Sequence, residues 1–116
     1  ADPGEVVWTW VPYEDDPSVG KDRPVLVLAR LRDDVVALQM TSQDRDKDRA
    51  DEARWGRYWF DIGSGNWDNR GRESEVRLDR LLRVGQGAIR REGGVLDRHI
   101  FDQVIAAVED AHRRGL

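Results

Sequence analysis

No cysteine occurs in the sequence, so disulfide bonds and thiolate metal sites are excluded. A chain without disulfides suits a reducing compartment, and we therefore expect a cytoplasmic protein. Long apolar runs are also missing, since no stretch approaches the roughly 20 residues of a membrane-spanning helix. We expect no membrane contact. The chain opens with neither a signal peptide nor an initiator methionine, which is typical of a trimmed sequence.

Positive charge is in deficit overall, because 23 acidic residues outnumber 19 basic ones and the net charge is −4. Such a balance argues mildly against a nucleic-acid partner. The arginines are nevertheless concentrated. Between residues 70 and 91, seven arginines stand beside three acidic residues, which is a local net charge of +4. The sequence therefore predicts a basic surface within an acidic protein.

Short segments rich in β-branched and aromatic residues dominate the sequence, as strands require. Turn residues separate them, and five strands are predicted, at residues 5–11, 25–30, 35–40, 57–62 and 75–84. A helix is predicted over 97–114, where apolar residues recur at helical spacing behind Asp97 as N-cap. We expect a single domain over 1–116, mainly β and antiparallel, curled into a small barrel with the C-terminal helix packed on it. Residues 1–4 are interpreted as a tail and 43–56 as a charged loop.

Two predicted strands form a hairpin around the short turn Arg32-Asp33. The first contains an apolar run from 25 to 29, which predicts a strand buried on both faces. In the expected register Val25 pairs with Met40, and Arg23 falls opposite Ser42. One guanidinium then lies beside hydroxyl groups at one end of the hairpin.

Arg23, Thr41 and Ser42 together offer what a phosphate requires, a guanidinium fork and neutral donors. Pro24 holds the backbone of Arg23 extended, which limits where the side chain can point. The alternative is an ordinary ion pair between Arg23 and a neighbouring aspartate such as Asp22, at a strand end without function. The residues alone leave both interpretations open.

The tryptophans have alternative interpretations. Trp8 and Trp10 alternate along the first strand and are predicted to pack in the core. Trp67, in the segment GNWDNRGR, could stack an RNA base beside Arg70 and Arg72. It could equally anchor a partner peptide or be buried as a structural residue.

Metal and nucleotide motifs are weak. The three aspartates from 44 to 48 resemble the opening of a calcium loop, but Arg49 and Trp55 stand where glycine and glutamate are needed. The Gly-Ser-Gly segment 63–65 precedes no helix that would bind phosphate. We expect neither a metal nor a cofactor.

Four segments follow one another along the chain: PGEVVW, GKDRPVLVL, a strand ending in TS, and VRLDRLLRV. In this order they resemble the PemK/MazF (Kid-like) toxins of type II toxin–antitoxin systems, and more narrowly an actinobacterial branch. The resemblance covers nearly the whole chain, with an enlarged middle from 44 to 72. It implies an SH3-like barrel, a homodimer and a cognate antitoxin.

The resemblance also implies a metal-independent, sequence-specific endoribonuclease that cuts single-stranded RNA. The 2′-hydroxyl attacks the adjacent phosphorus, leaving a 2′,3′-cyclic phosphate and a 5′-hydroxyl. This reaction needs a base, an acid and cations around a phosphorane. Matched motifs imply that Arg23 stabilises the phosphorane, that Thr41 and Ser42 bind the phosphate, and that Asp79 is the base and Arg77 the acid. Residues 77 and 79 share a strand face, although a surface ion pair is the alternative.

The loop after the first strand departs from the family pattern because it lacks the histidine that some relatives carry. Tyr13, Glu14 and Lys21 are the possible substitutes, and Lys21 is also expected to contact RNA phosphate. The loop's acidic residues would repel phosphate. A non-cleaving binding module on the same barrel is therefore the alternative function, either a gyrase poison of the CcdB type or a protein that binds only an antitoxin or another peptide.

Overall fold

Six strands and one long helix are present in the computed structural model, which describes residues 1–41, 59–68 and 70–115. The strands are β1 (Glu5–Pro12), β2 (Gly20–Leu31), β3 (Asp34–Thr41), β4 (Trp59–Gly63), β5 (Ser74–Gly85) and β6 (Arg91–Val95), and the helix is α1 (Arg98–Arg113). A 3-10 turn, Gln86–Ala88, joins β5 to β6. The predicted charged loop over 43–56 lies outside the described residues.

All neighbouring strands pair antiparallel in one sheet, in the order β4-β5-β3-β2-β1-β6. The two ends of this sheet approach each other. Trp67, which follows β4, lies so close to Gly93 of β6 that a Cβ on the glycine would be 2.9 Å from the Trp67 Cβ. The sheet is therefore curled into the barrel-like form that the sequence predicted.

Strand β2 is buried on both faces, as its apolar run predicted. Val25, Leu26 and Val27 are all fully buried although successive side chains point to opposite faces. One buried cluster consists of Val6, Leu26, Leu38, Met40, Ile62, Trp67, Val76, Leu96 and Val104. The other consists of Val7, Val11, Val25, Val27, Val35, Ala37 and Val84. Neighbouring residues of the same strands, such as Val6 and Val7, belong to different clusters, so the two clusters lie on opposite faces of the sheet.

Helix α1 begins and ends as predicted. The Asp97 side chain accepts a hydrogen bond from the backbone N–H of His99 at 2.9 Å, which satisfies one N–H group of the first turn. Gly115 takes a positive φ of 84° just beyond the last turn, as helix-terminating glycines do. Val104 and Ala111 are the buried residues of the helix, and Val104 belongs to the first buried cluster. No helix among the described residues has the length and apolar character to cross a membrane.

The hairpin register differs from the prediction by one residue. Near the turn Leu31 pairs with Asp34 as expected, but an irregularity between Val27 and Ala29 places one extra residue in β2. Beyond it, Val25 pairs with Gln39 rather than with Met40. A register continued to the end of the hairpin brings Thr41, not Ser42, opposite Arg23.

Three further expectations are corrected. Strand β6 was not among the five predicted strands, because its sequence REGGV has little β propensity and pairs with β1 through its backbone. Residues 1–4 are not a loose tail, since the Gly4 N–H donates to the Val27 carbonyl and the Gly4 carbonyl accepts from Leu96. Trp10 is not in the core, because it is 44% exposed, and Trp8 is only partly buried.

Candidate functional site

A break in the pairing of β5 with β3 brings polar side chains of β5 together at the candidate site. Between two regular pairs with β3, four residues of β5 (77–80) lie opposite one residue, Gln39. Bulges bend the strand that carries them, re-aim its side chains and are frequent beside active sites. Here the irregularity allows Arg77 and Arg80, which differ by an odd number of positions, to reach the same place.

That place is a cleft of about 240 Å³ to which the strands β1 to β5 all contribute residues. It is lined by Pro12, Tyr13, Glu14, Asp15, Arg23, Gln39, Trp59, Arg77 and Arg80. The fold thus brings together Arg23 and Arg77, two residues proposed from distant parts of the sequence. Guanidinium groups in a confined cleft are suitable ligands for a phosphate.

Arg77 is buried, with 6% of its side chain exposed, and holds two carboxylates at once. Its Nε and Nη2 donate to the two Asp79 carboxylate oxygens at 2.9 and 3.3 Å. On the other side, its Nη1 and Nη2 donate to the Glu14 oxygens at 3.3 and 3.0 Å. Asp79 is 9% exposed, whereas Glu14 is 47% exposed. Glu14 is therefore the carboxylate that can more easily move away.

The environment of Arg77 keeps it charged. Burial lowers its pKa, but the hydrogen bonds and charges of Asp79 and then of Glu14 outweigh burial and raise the pKa above its ordinary value. A guanidinium of this kind holds its protons. In this arrangement Arg77 suits charge stabilisation and hydrogen-bond donation better than release of a proton.

Arg80 is a cleft residue that the sequence did not reveal. Its Nη1 donates to Gln39 Oε1 at 2.7 Å and its Nη2 to the Pro12 carbonyl at 2.9 Å. These bonds connect β5 to β3 and to the start of the first loop. Strict strand alternation places residues 77 and 80 on opposite faces, so only the irregularity of β5 could have indicated Arg80.

Arg23 lines the cleft, whereas Thr41, the last residue of β3, does not. Arg23 is partly buried, pairs with Thr9 of β1 and lines the cleft. Thr41 is 6% exposed and pairs with Glu75 of β5. Ser42, the second predicted hydroxyl, lies outside the described residues.

The remaining predicted basic residues are not brought to the cleft. Lys21 is exposed and does not line it. Arg70 and Arg72 are exposed in the segment before β5, where Arg72 Nε donates to Asp68 at 2.9 Å. Arg72 lines a separate cavity of about 210 Å³ beside Trp8. The predicted basic surface is therefore divided between different parts of the molecule.

Trp67 has a structural role. Its side chain belongs to the buried core, only 5% of the residue is exposed, and its Nε1 donates to Ser74 Oγ at 2.8 Å. Of the three interpretations of Trp67, this burial favours the structural one, although the residue also lines the cavity that contains Arg72. A different tryptophan, Trp59, lines the cleft, and no local sequence pattern distinguishes Trp59 from Trp67.

Neither histidine lines the cleft, although His112 lines a groove that also contains Asp79. His99 and His112 are both exposed on α1. Within residues 1–41, 59–68 and 70–115, no three acidic or histidine side chains lie close enough to hold a metal ion. The positive charges that line the cleft are those of arginine side chains.

The fold is shared with several solved structures. An endoribonuclease in complex with its cognate antitoxin, from a mycobacterial species, has a TM-score of 0.66 at 16% identity, covering 96% of this chain and 93% of that chain. MazE–MazF from Deinococcus radiodurans has a TM-score of 0.64 at 16% identity, with 95% and 93% covered. The Mycobacterium tuberculosis toxin MazF-mt6 has a TM-score of 0.56 at 18% identity, with 92% and 96% covered. At these identities the likeness establishes the fold.

Sequence comparison gives the family. No curated protein sequence matches the chain. The family described as PemK-like, MazF-like toxin of type II toxin–antitoxin system matches residues 2–111, which is nearly the whole sequence. The chain therefore belongs to the PemK-like, MazF-like toxin family of type II toxin–antitoxin systems.

Proposed function

We propose that this chain is a toxin that cleaves single-stranded RNA at specific sequences without a metal ion. Family membership supports this activity, as do structural neighbours that are endoribonucleases. The observation that carries the proposal is the shared cleft of Arg23 and Arg77, with Asp79 hydrogen-bonded to Arg77. Asp79 itself lines the neighbouring groove beside α1, so its carboxylate lies on the far side of the Arg77 guanidinium from the cleft. Two cations in one cleft, one of them bonded to this carboxylate, fit an attack on a phosphodiester.

The proposed reaction is transesterification by the 2′-hydroxyl. Asp79 accepts the 2′-proton while the 2′-oxygen bonds to phosphorus, and the bond to the 5′-oxygen breaks. Arg23 neutralises the phosphorane, with Thr41 and Ser42 as further donors to the phosphate. The products are a 2′,3′-cyclic phosphate and a 5′-hydroxyl.

The leaving 5′-oxygen must receive a proton. Arg77 was expected as this acid, but its raised pKa favours a permanent cation that donates hydrogen bonds. Glu14 accepts hydrogen bonds from the same guanidinium and is partly exposed. A phosphate that displaces Glu14 from Arg77 leaves this side chain in contact with water. We therefore assign to Glu14 the transfer of a proton from water to the leaving 5′-oxygen, which gives the 5′-hydroxyl, in place of the histidine that this loop lacks.

The decisive test is digestion of mixed-sequence RNA in EDTA, followed by analysis of the new ends. Wild type should give cyclic-phosphate ends, and Arg23→Ala should lose cleavage while remaining folded. Arg30→Ala is the matched control, because Arg30 lies on the same strand but is exposed and pairs with Asp2. Equal cleavage by wild type and Arg23→Ala would contradict the assigned role of Arg23.

The alternative, a binding module that cuts nothing, is favoured by one observation. Glu14 and Asp79 together accept four hydrogen bonds from Arg77, which has five N–H donors, so a phosphate that binds this guanidinium through two donors must first displace Glu14. Intact RNA after incubation with concentrated wild-type protein would support this alternative. Gyrase inhibition and peptide binding would then be assayed.

The proposed protein partners are a cognate antitoxin and a second copy of the chain. Antitoxin is present with the mycobacterial and Deinococcus neighbours. A groove between β5 and α1 has apolar walls of Leu78, Leu81 and Val108, and Asp79 also lines it. Its apolar part around Leu81, which is 55% exposed, is the proposed dimer surface. Leu81→Asp should shift the protein toward monomer in analytical ultracentrifugation. An unchanged sedimentation profile would place the dimer contact elsewhere.

A further inference from the structure

Two aromatic side chains line the cleft beside its arginines. Tyr13 follows β1 and is 37% exposed. Trp59 is partly buried and begins β4, where it pairs directly with Arg77. Cross-strand partners have Cβ atoms about 5 Å apart, so the indole stands next to the buried guanidinium. Aromatic rings beside phosphate-binding cations are how single-stranded nucleic acids are held, by stacking of bases next to backbone contacts.

The other tryptophans in the described residues are placed differently. Trp67 is in the core, and Trp8 is covered by the Arg91 guanidinium, which lies 4.5 Å from its ring centroid. Trp10 is exposed but does not line the cleft. Trp59 is therefore the tryptophan that the fold places beside Arg77.

The cleft also contains a polar side chain, Gln39, that could recognise a base by hydrogen bonding. Gln39 is buried at the base of the cleft, and its Oε1 accepts the 2.7 Å hydrogen bond from Arg80. A guanidinium can only donate, so the oxygen of this amide must face Arg80 and the amide nitrogen must point elsewhere. The two N–H groups of that nitrogen are suited to an acceptor on the edge of a base, such as a carbonyl or ring nitrogen.

We infer that Tyr13, Trp59 and Gln39 form a nucleobase subsite, in which the rings stack a base of the RNA and Gln39 selects it through an acceptor atom. The inference rests on the proposed function in that RNA is the substrate. It goes further by naming the residues that set sequence preference. Arg80 acts here as a positioning residue. It fixes the orientation of the Gln39 amide, and its hydrogen bond to the Pro12 carbonyl anchors the start of the first loop.

The test measures binding separately from cleavage. The probes are fluorescent 2′-O-methyl oligonucleotides about eight residues long, which cannot be cut because the attacking hydroxyl is blocked. Four probes carry only A, C, G or U, and a fifth has the same backbone without bases. Wild type should bind at least one base-bearing probe about 5- to 150-fold more tightly than the abasic probe.

Trp59→Leu should reduce that ratio to near one and leave affinity for the abasic probe unchanged. Trp10→Leu, which removes an exposed tryptophan outside the cleft, should behave as wild type. Tyr13→Leu should lower the ratio in part, and its position in an exposed loop makes it the second variant if Trp59→Leu does not fold. Gln39→Glu keeps the acceptor for Arg80 but removes the N–H donors, so the order of preference among the four bases should change.

The proposal is overturned if folded Trp59→Leu and Tyr13→Leu keep the wild-type ratio of base-bearing to abasic affinity. If that result is found and the wild-type protein still cuts RNA in EDTA, the proposed ribonuclease activity is kept and only the nucleobase subsite is rejected. The opposite result is a wild-type protein that cuts no RNA but prefers base-bearing probes, with a preference that Trp59→Leu removes. That result would support the subsite and contradict the proposed cleavage. The two failures are therefore distinguishable.

Discussion

Arg77 joins two carboxylates on a buried side chain, so its removal should be costly. Breaking a buried ion pair by deleting one partner costs about 3–5 kcal/mol. We expect Arg77→Ala to lower the free energy of unfolding by about 3 kcal/mol, because Asp79 stays buried without its guanidinium. The double variant Arg77→Ala/Asp79→Ala should be less destabilised than the sum of its single variants, as urea unfolding would measure. Simple additivity would show that the two side chains are not coupled.

Substitution of Glu14 can distinguish its two possible effects, proton transfer during cleavage and obstruction of phosphate binding to Arg77. Glu14→Gln keeps the shape of the side chain but cannot transfer a proton. Cleavage should fall about 100- to 10,000-fold, the usual contribution of a general acid. Affinity for uncleavable RNA should rise, because the carboxylate no longer competes for Arg77. Asp15→Asn, another carboxylate at the cleft, is the control for loss of charge alone. Cleavage that rises together with affinity would show that Glu14 only obstructs the cleft.

At the scale of the elements, the contact between the segment after β4 and β6 depends on Gly93. A Cβ there would lie 2.9 Å from the Trp67 Cβ and 3.2 Å from the Val6 carbonyl, so backbone would have to move. We expect Gly93→Ala to cost about 1–3 kcal/mol of unfolding free energy, as overpacking does. Gly87→Ala is the matched control, because nothing lies within 4 Å of its Cβ position. Equal urea midpoints for the two variants would show that the sheet ends are not tightly joined.

The turn before β5 is organised by Asp68. Burial raises the pKa of its carboxyl, but hydrogen bonds from the Arg70 and Arg72 backbones and the Arg72 side chain outweigh this and hold the pKa below 3.8. A depressed pKa stabilises the fold above the unfolded-state pKa, and that stabilisation is lost as pH falls through the lower, folded value. Asp68→Asn should therefore be less stable near neutral pH and lose less stability on acidification. Parallel unfolding curves for the two proteins from pH 6 to 2 would contradict this account.

The regular strands and the helix of this chain were predictable from the sequence. The features that shape the candidate site, above all the irregularity in β5, were not. Propensity and periodicity located five strands, α1 and its Asp97 cap, because these are local properties. Strand β6 was missed because tertiary pairing with β1 overrides the poor propensity of REGGV. Arg80 and the exact partner of Val25 were missed because each depends on a bulge, and a bulge breaks the alternation on which the prediction rests. Which tryptophan faces the cleft depends on how the sheet curls, which no single segment encodes.

The whole molecule combines a net charge of −4 with an arginine-lined cleft, so its attraction for RNA should be short-ranged. Affinity for single strands falls with salt by about 0.7 logarithmic units per decade for each phosphate contact. If Arg23 and Arg77 each hold one phosphate group, the slope for an uncleavable oligonucleotide should be about −1.4, far shallower than for a broadly basic surface. Arg23→Ala should make it about 0.7 shallower, whereas Arg72→Ala, outside the cleft, should leave it unchanged. Anisotropy titrations at several salt concentrations would measure these slopes. A steep slope that Arg72→Ala reduces would instead mean that RNA follows the exposed basic surface near Trp8, and the arginine cleft would lose its place as the principal phosphate site.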